Sequence, residues 1–280
     1  MSQITILGKK KEFIDINFLI ELMKYANEEA RKLFIIGKQD IKNLNIITKE
    51  DNTYVTNIDL KINEIILEGI KKLQRNLVEE ILIISEESPK LDYEIRKKYK
   101  YAWLIDPIDG TNSLIEGIED FTICIGLVEN QRAIFGIVGL PMEKKIVYGG
   151  RNVPIHEVNS KGIHFPIKRE VNTNHNSFKV CCVDTSYSIK QMQKDKKAYV
   201  VRWSNGYGID IIKGRINELR LSNNCIIKEW DICCWDGILK GQDEIKLVSI
   251  ENYEIYYNTK SLLLPCIKIV DIMRDKYNSK

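Results

Sequence analysis

Two apolar runs in the first half of the chain end abruptly in acid, and this arrangement constrains the fold more than any other feature. Ile81-Leu82-Ile83-Ile84 stops at Ser85-Glu86-Glu87, and Tyr101-Ala102-Trp103-Leu104-Ile105 stops at Asp106-Pro107-Ile108-Asp109. Short continuous apolar runs read as strands buried on both faces. If the two strands lie side by side in one sheet, their carboxylates meet at a common edge. Carboxylates that close repel one another and rise in pKa unless cations neutralise them. Oxygen donors with no histidine or cysteine nearby select a hard ion such as magnesium.

The residues after the second run fit that chemistry. Pro107 stiffens an expected turn between Asp106 and Asp109, and the three-residue spacing aims both carboxylates at one place. The Ile108 carbonyl offers a further oxygen. Gly110 lets backbone approach a ligand closely, and Thr111 supplies a hydroxyl. Backbone N–H groups at Gly110, Thr111 and Asn112 could hold a phosphate if a helix begins here. Asp-Gly-Thr alone is turn material; the whole string from Trp103 to Asn112 is far more specific.

Along the chain, Phe13 to Phe34 has helical spacing of apolar residues, with Gly37 as a stop, and Ile58 to Leu73 predicts a second helix. Tyr54-Val55-Thr56 has strand character. Phe121 to Val128 and Ala133 to Val138 flank Glu129-Asn130-Gln131-Arg132, which predicts a hairpin. A lobe boundary is expected near Gly149-Gly150, dividing an N-terminal α+β lobe (1–150) from a C-terminal α/β lobe (151–280). In the second lobe strands are expected at 180–183, 198–201 and 216–221, and helices at 186–194, 205–213 and 232–240. A helical tail is expected after Pro265. The alternation of elements predicts layered α and β structure.

Charge excludes some functions. Lys and Arg (42) nearly balance Asp and Glu (39), a formal net charge of +3, whereas a nucleic-acid binder concentrates basic residues on one face. Lys9-Lys10-Lys11 and Arg96-Lys97-Lys98 are short runs that read as solvated. The seven cysteines form no disulfide framework, and His156, His164 and His175 lack zinc-ligand spacing. Buried free thiols in a reducing compartment are expected. No stretch approaches the roughly 18 apolar residues of a membrane span, and charge recurs through Lys9, Lys10, Lys11, Glu12 and Asp15 where a signal peptide needs an apolar core. A cytoplasmic protein without membrane or nucleic-acid partners is the expectation.

Trp103 to Leu127 (WLIDPIDGTNSLIEGIEDFTICIGL) resembles the main signature of the inositol monophosphatase superfamily. Val55-Thr56-Asn57-Ile58-Asp59, Ser85-Glu86-Glu87-Ser88 and Trp230-Asp231 resemble its other motifs, in its order. The resemblance implies an α+β fold, a layered α-β-α-β-α sandwich of the sugar-phosphatase type, with the site where two lobes meet. It implies two or three magnesium ions. Glu86, Asp106 and the Ile108 carbonyl would hold one ion, and Asp106, Asp109 and Asp231 a second. Asp59 and Thr111 would form the catalytic pair that orients and deprotonates the attacking water. Asp109, Gly110, Thr111, Asn112 and Asp231 would face the substrate. Glu87 reads either as a further acid of the site or as structural, and Lys49 either as a phosphate sensor or as a solvated lysine.

Within the superfamily, Thr111 to Gly117, Glu116 to Pro141 and Glu229-Trp230-Asp231 resemble the bacterial 3'(2'),5'-bisphosphate nucleotidases, though Leu114 replaces an aromatic residue. The small pair that usually follows Trp-Asp is Cys233-Cys234 here, and only Gly241 remains of a downstream Gly-Gly. The 184–206 stretch, on the substrate side, matches loosely. The expected activity is hydrolysis of a small phosphomonoester, with 3'-phosphoadenosine 5'-phosphate converted to AMP and phosphate, and lithium sensitivity is implied. Inositol monophosphatase is the alternative, and a non-catalytic phosphate-ligand binding protein on the same fold a lesser one. The chain reads as a monomer or a homodimer.

Overall fold

The computed structural model describes residues 3–7, 11–167, 180–183, 198–200, 208–209, 212–213, 218–221, 227–249, 253–264 and 267–271. A hairpin of β1 (Gln3–Leu7) and β2 (Lys11–Asp15) leads into α1 (Ile16–Gln39) and a short 3₁₀ turn, Ile41–Leu44. A second small hairpin, β3 (Ile47–Thr48) and β4 (Tyr54–Val55), precedes α2 (Asn57–Gln74). There follow β5 (Ile81–Ser85), α3 (Tyr93–Arg96), β6 (Tyr101–Asp109), α4 (Thr111–Ile115), β7 (Thr122–Glu129) and β8 (Arg132–Leu140). Then come β9 (Lys145–Gly150), β10 (Val153–Val158), β11 (His164–Pro166), β12 (Val180–Val183), β13 (Ala198–Val200) and β14 (Glu218–Leu221). The described chain closes with β15 (Ile227–Lys228), α5 (Glu229–Leu239), β16 (Ile245–Ser249), β17 (Leu263–Leu264) and β18 (Ile267–Asp271).

The central layer is a seven-stranded sheet in the order β11-β10-β9-β8-β7-β6-β5. β5 and β6 run parallel, with Ser85 opposite Ile105, so their C-terminal ends share one edge as expected. The neighbouring pairs from β6 to β11 are antiparallel. The sheet crosses residue 150 inside a strand pair, because Val153 of β10 lies opposite Gly150 of β9.

Strand alternation divides the core between the two faces. Tyr101, Trp103 and Ile105 join α1 and α2 through Leu19, Met23, Phe34, Ile58, Ile62 and Ile66. Ala102 and Leu104 join α5 through Cys233, Cys234 and Ile238. Each fully buried Ile, Leu or Phe stabilises by about 1.5–3 kcal/mol, so both helical layers are firmly seated. α5 lies unusually close to the sheet. A Cβ at Gly136 would sit 1.8 Å from the Cys234 carbonyl oxygen, so β8 must carry glycine there. Cys233 and Cys234, where a small pair is usual, are fully buried free thiols, and the helix packs with them in place. Beyond α5 lie β15 and β16, with β16 paired to β18. Helix, sheet, helix and sheet thus stack in an α+β sandwich.

Three expectations need correction. α1 starts at Ile16, since Phe13 pairs with Thr5 in the first hairpin, and it runs through Gly37 to Gln39. Gly37 serves packing instead of termination: a Cβ there would stand 2.2 Å from Leu44 Cδ2. The segment after Pro265 is no helix as far as Asp271; the β-branched run Ile267 to Asp271 pairs antiparallel with Ile245 to Ser249. Asp106 to Asp109 is no turn but the end of β6, with a bulge. Asp106 opposes Cys124 and Asp109 opposes Thr122, three steps on one strand against two on the other. Pro107 has no N–H to give the ladder, which suits it to such a place. The expected helix at 186–194 and most of that at 205–213 lie outside the described residues.

Candidate active site

The bulge decides which way the acids point. Along β6 the even residues Ala102 and Leu104 face α5, so Asp106 does too. Without the extra residue Asp109 would face α2. The register shift turns it back, and Ile108 takes the α2 side in the core beside Ile58. Asp106 is fully buried, and its Oδ1 accepts from the Ile108 N–H at 3.0 Å. Burial pushes the Asp106 carboxyl well up, and the charges of Glu86, Asp109 and Asp231 raise it further. Asp231, in the first turn of α5, is likewise raised by burial and then by Asp109 and Glu86. Its Oδ2 accepts from the Lys228 N–H at 3.0 Å. Four carboxylates, from the turn after β5 and from β6 and α5, therefore share one electrostatic neighbourhood.

Asp59 enters from the start of α2 through a capping box. Thr56 caps the helix, and Asp59 Oδ2 accepts from the Thr56 N–H at 2.8 Å and from its hydroxyl at 2.5 Å. That leaves Oδ1 to face Thr111, whose hydroxyl oxygen is 2.8 Å away and also lies 3.1 Å from the Ile108 carbonyl oxygen. Burial raises the Asp59 carboxyl against the opposing effect of the Thr56 and Thr111 hydrogen bonds. Thr111 itself opens α4, directly after Gly110. Gly110 has φ +101°, and a Cβ there would meet the Asp120 carbonyl oxygen at 2.9 Å. Only glycine makes that turn without strain. Asn112 follows on the exposed side of α4.

Lysines rim the acids. Lys49, in the turn between β3 and β4, places Nζ 3.1 Å from Glu86 Oε1 and 2.6 Å from Glu87 Oε1. Burial depresses the Lys49 ammonium, but Glu86 and Glu87 outweigh it and hold the pKa up. Lys90 donates to the Glu86 carbonyl and lies over the Trp230 ring, 5.0 Å from its centroid. Lys228 reaches Asp51 Oδ2 at 3.2 Å.

The donor set fits a hard divalent cation: carboxylate oxygens from Glu86, Asp106, Asp109 and Asp231, with the Ile108 carbonyl beside them. The Cys124 thiol behind Asp106 is pushed well up by burial and stays neutral. Among the described residues, no three Asp, Glu, His or Cys side chains converge at ion-holding distance. Local donors engage several of these acids: Lys49 for Glu86, the Ile108 N–H for Asp106 and the Lys228 N–H for Asp231.

Two residues of this neighbourhood escaped sequence reasoning. Thr56-x-x-Asp59 is a readable capping box that announces how Asp59 is aimed. Lys228 gave no signal, because only the fold brings it to Asp51. The 184–206 stretch expected on the substrate side lies almost wholly outside the described residues.

Residues 15–242 match the model of the inositol monophosphatase family. Over 100 residues the chain is 36% identical to the 3'(2'),5'-bisphosphate nucleotidase CysQ of Salmonella typhimurium, a match spanning 36% of this chain and 39% of that protein. It is 33% identical over 101 residues to CysQ of Escherichia coli K12, again 36% of this chain and 39% of the relative. The matched stretch thus spans about two fifths of the length of these curated relatives. Among solved structures, CysQ from Bacteroides thetaiotaomicron superposes with a TM-score of 0.71 at 17% identity, covering 92% of this chain and 97% of that one. The Thermotoga maritima IMPase gives 0.69 at 18%, covering 93% and 94%. The fold is theirs.

Proposed function

This chain belongs to the inositol monophosphatase family, and from that premise we propose that it is a magnesium-dependent phosphomonoester hydrolase acting on a 3'(2'),5'-bisphosphate nucleotide. In the preferred case 3'-phosphoadenosine 5'-phosphate gives AMP and inorganic phosphate. One observation carries the reading: the Asp59–Thr111 hydrogen bond of 2.8 Å, set against the mutually repelling acids Asp106, Asp109 and Asp231. The partial identity to the nucleotidases supports the substrate class.

Glu86, Asp106, Asp109, Asp231 and the Ile108 carbonyl would hold the ions. Magnesium bound there would supply an acidified water and neutralise charge developing on the phosphoryl oxygens. The chain's own residues do the rest. Thr111 donates its proton to Asp59 Oδ1, which leaves the hydroxyl oxygen free to accept from the attacking water. As the water gives its proton to Thr111 Oγ1, the proton that Thr111 already carried passes to Asp59 Oδ1, so the pair takes up one proton and Asp59 ends as the neutral acid. A carboxylate that burial has made more basic suits this task. The capping bonds to Oδ2 keep Asp59 from rotating away. Gly110 gives the phosphate room, and Asn112 beside it can accept or donate to the leaving group. The same reading extends to lithium sensitivity by competition for a magnesium position.

Phosphate release from 3'-phosphoadenosine 5'-phosphate and from inositol 1-phosphate, side by side at equal enzyme and saturating magnesium, tests the substrate class. Faster turnover of the nucleotide is expected. Preference for inositol 1-phosphate would move the chain to the inositol branch of the family.

A further inference from the structure

The β3–β4 hairpin reaches the acids of the site, and ion pairs hold it from two sides. Lys49 ties it to Glu86 and Glu87, which follow β5. Asp51, two residues on, ties it to Lys228 at the head of α5, with Oδ2 and Nζ 3.2 Å apart. The turn keeps the two anchors in fixed relation. The Lys49 N–H donates to the Thr53 carbonyl at 2.8 Å and the Asn52 N–H to the Lys49 carbonyl at 3.0 Å. Asp51 Oδ1 accepts from the Thr53 N–H at 3.1 Å and from its hydroxyl at 2.6 Å. Asp51 therefore commits one oxygen to the turn and turns the other toward Lys228. These bonds, Thr53 first and Lys228 after, hold its carboxyl down at about 2, so it stays charged at any working pH.

Lys228 has a second grip. Its backbone N–H donates to Asp231 Oδ2, so one residue holds the hairpin by its side chain and a proposed ligand carboxylate by its backbone. Its ammonium lies 6.0 Å from the centroid of the Trp230 ring, and that of Lys90 lies 5.0 Å from the same centroid. The charge of Lys90 repels that of Lys228, which is met by its ion pair with Asp51 and also acts on the nearby Asp231 carboxylate.

We infer that Lys228 is a positioning residue: through Asp51 it fixes the β3–β4 hairpin against α5, and so sets where Lys49 meets Glu86. The inference rests on the proposed hydrolytic site for its consequence, but the tie itself stands on the geometry. The side chains are 29% exposed at Lys228 and 48% at Asp51, so the effect has the size of a surface ion pair, about two- to fivefold.

Hydrogen–deuterium exchange at residues 47–55 of the full chain tests the tie without substrate, for the parent, K228M, D51N and the double variant. Calorimetric titration with magnesium and the kcat and KM for 3'-phosphoadenosine 5'-phosphate complete the readout. Exchange in the hairpin should rise about two- to fivefold in each single variant, with no further rise in the double. Magnesium affinity should shift oppositely in the two single variants, tightening in K228M, which removes a cation acting on Asp231, and weakening in D51N. KM should rise in both more than kcat falls, and K228R should restore parental exchange and KM. Added salt should speed hairpin exchange more in the parent than in K228M, which keeps only the Lys49 pairs. Parental exchange in K228M, or additive effects in the double variant, would overturn the inference. A parent without phosphatase activity would defeat the proposed function alone, since the exchange result stands apart from it.

Discussion

At the scale of single residues, the site is a store of electrostatic cost. Asp106 and Asp231 are each raised by burial and by the other acids, so the charged forms are held against their preference. Such repulsion is tolerated where function needs it and relieved where a charge is removed. Asp106→Asn keeps the acceptor for the Ile108 N–H while deleting one charge. In the absence of divalent cations it should be more stable than the parent by about 1–3 kcal/mol, and so unfold at a higher temperature, and should lose phosphatase activity. Thermal melts in EDTA check the first half and phosphate release the second. A less stable Asn variant would mean that Asp106 is satisfied within the protein. Asp59 shows how one residue serves two ends: Thr56-x-x-Asp59 is legible as a helix cap, while the hydroxyl that donates to its other oxygen comes from Thr111, far along the chain.

Among the elements, β6 and α5 carry the site. The bulge in β6 turns Asp109 to the side of Asp106, and the close approach of α5 at Gly136 brings Asp231 to them. The acid-terminated strands were legible, because a continuous apolar run followed by charge has few other readings; that they pair, and pair in parallel, comes from the structure. The bulge was not: a proline between two aspartates reads equally as a turn, and only the pairing with Cys124 and Thr122 distinguishes them. The far end of the sheet has its own charge lock, at the C-terminus of β7. Glu129 accepts from the Tyr101 hydroxyl at 2.5 Å and from Arg151 at 2.6 Å. Burial pushes its carboxyl up, but these partners outweigh burial and bring it below the usual 4.5. A depressed carboxylate stabilises above its unfolded pKa and loses that contribution as pH falls through the folded value. Glu129→Gln should therefore cost about 1–3 kcal/mol at neutral pH, with the gap closing as pH drops below 4.5. Denaturant unfolding across that range checks it; a gap that persists in acid would show that the charge is not what matters.

For the whole molecule, the layered α+β architecture and the family were legible from four motifs in order, since each ties a residue type to a backbone position. The C-terminal strands were harder. The run after Pro265 pairs with β16, a partner distant in sequence, and local spacing alone suggested a helix. The two-lobe division is a proposal; the seven-stranded sheet continues to Pro166. Among the described residues no helix is long and apolar enough to cross a membrane. Everything functional in this account turns on whether the acids at the ends of β5 and β6 and at the start of α5 use a divalent cation to hydrolyse a phosphomonoester. Titrating magnesium into EDTA-stripped protein, with phosphate release from 3'-phosphoadenosine 5'-phosphate as the signal, tests that directly. The account predicts no release without magnesium, a saturable rise with it, and a flat response from Asp109→Asn. Undiminished release in EDTA, or full turnover by Asp109→Asn, would contradict it.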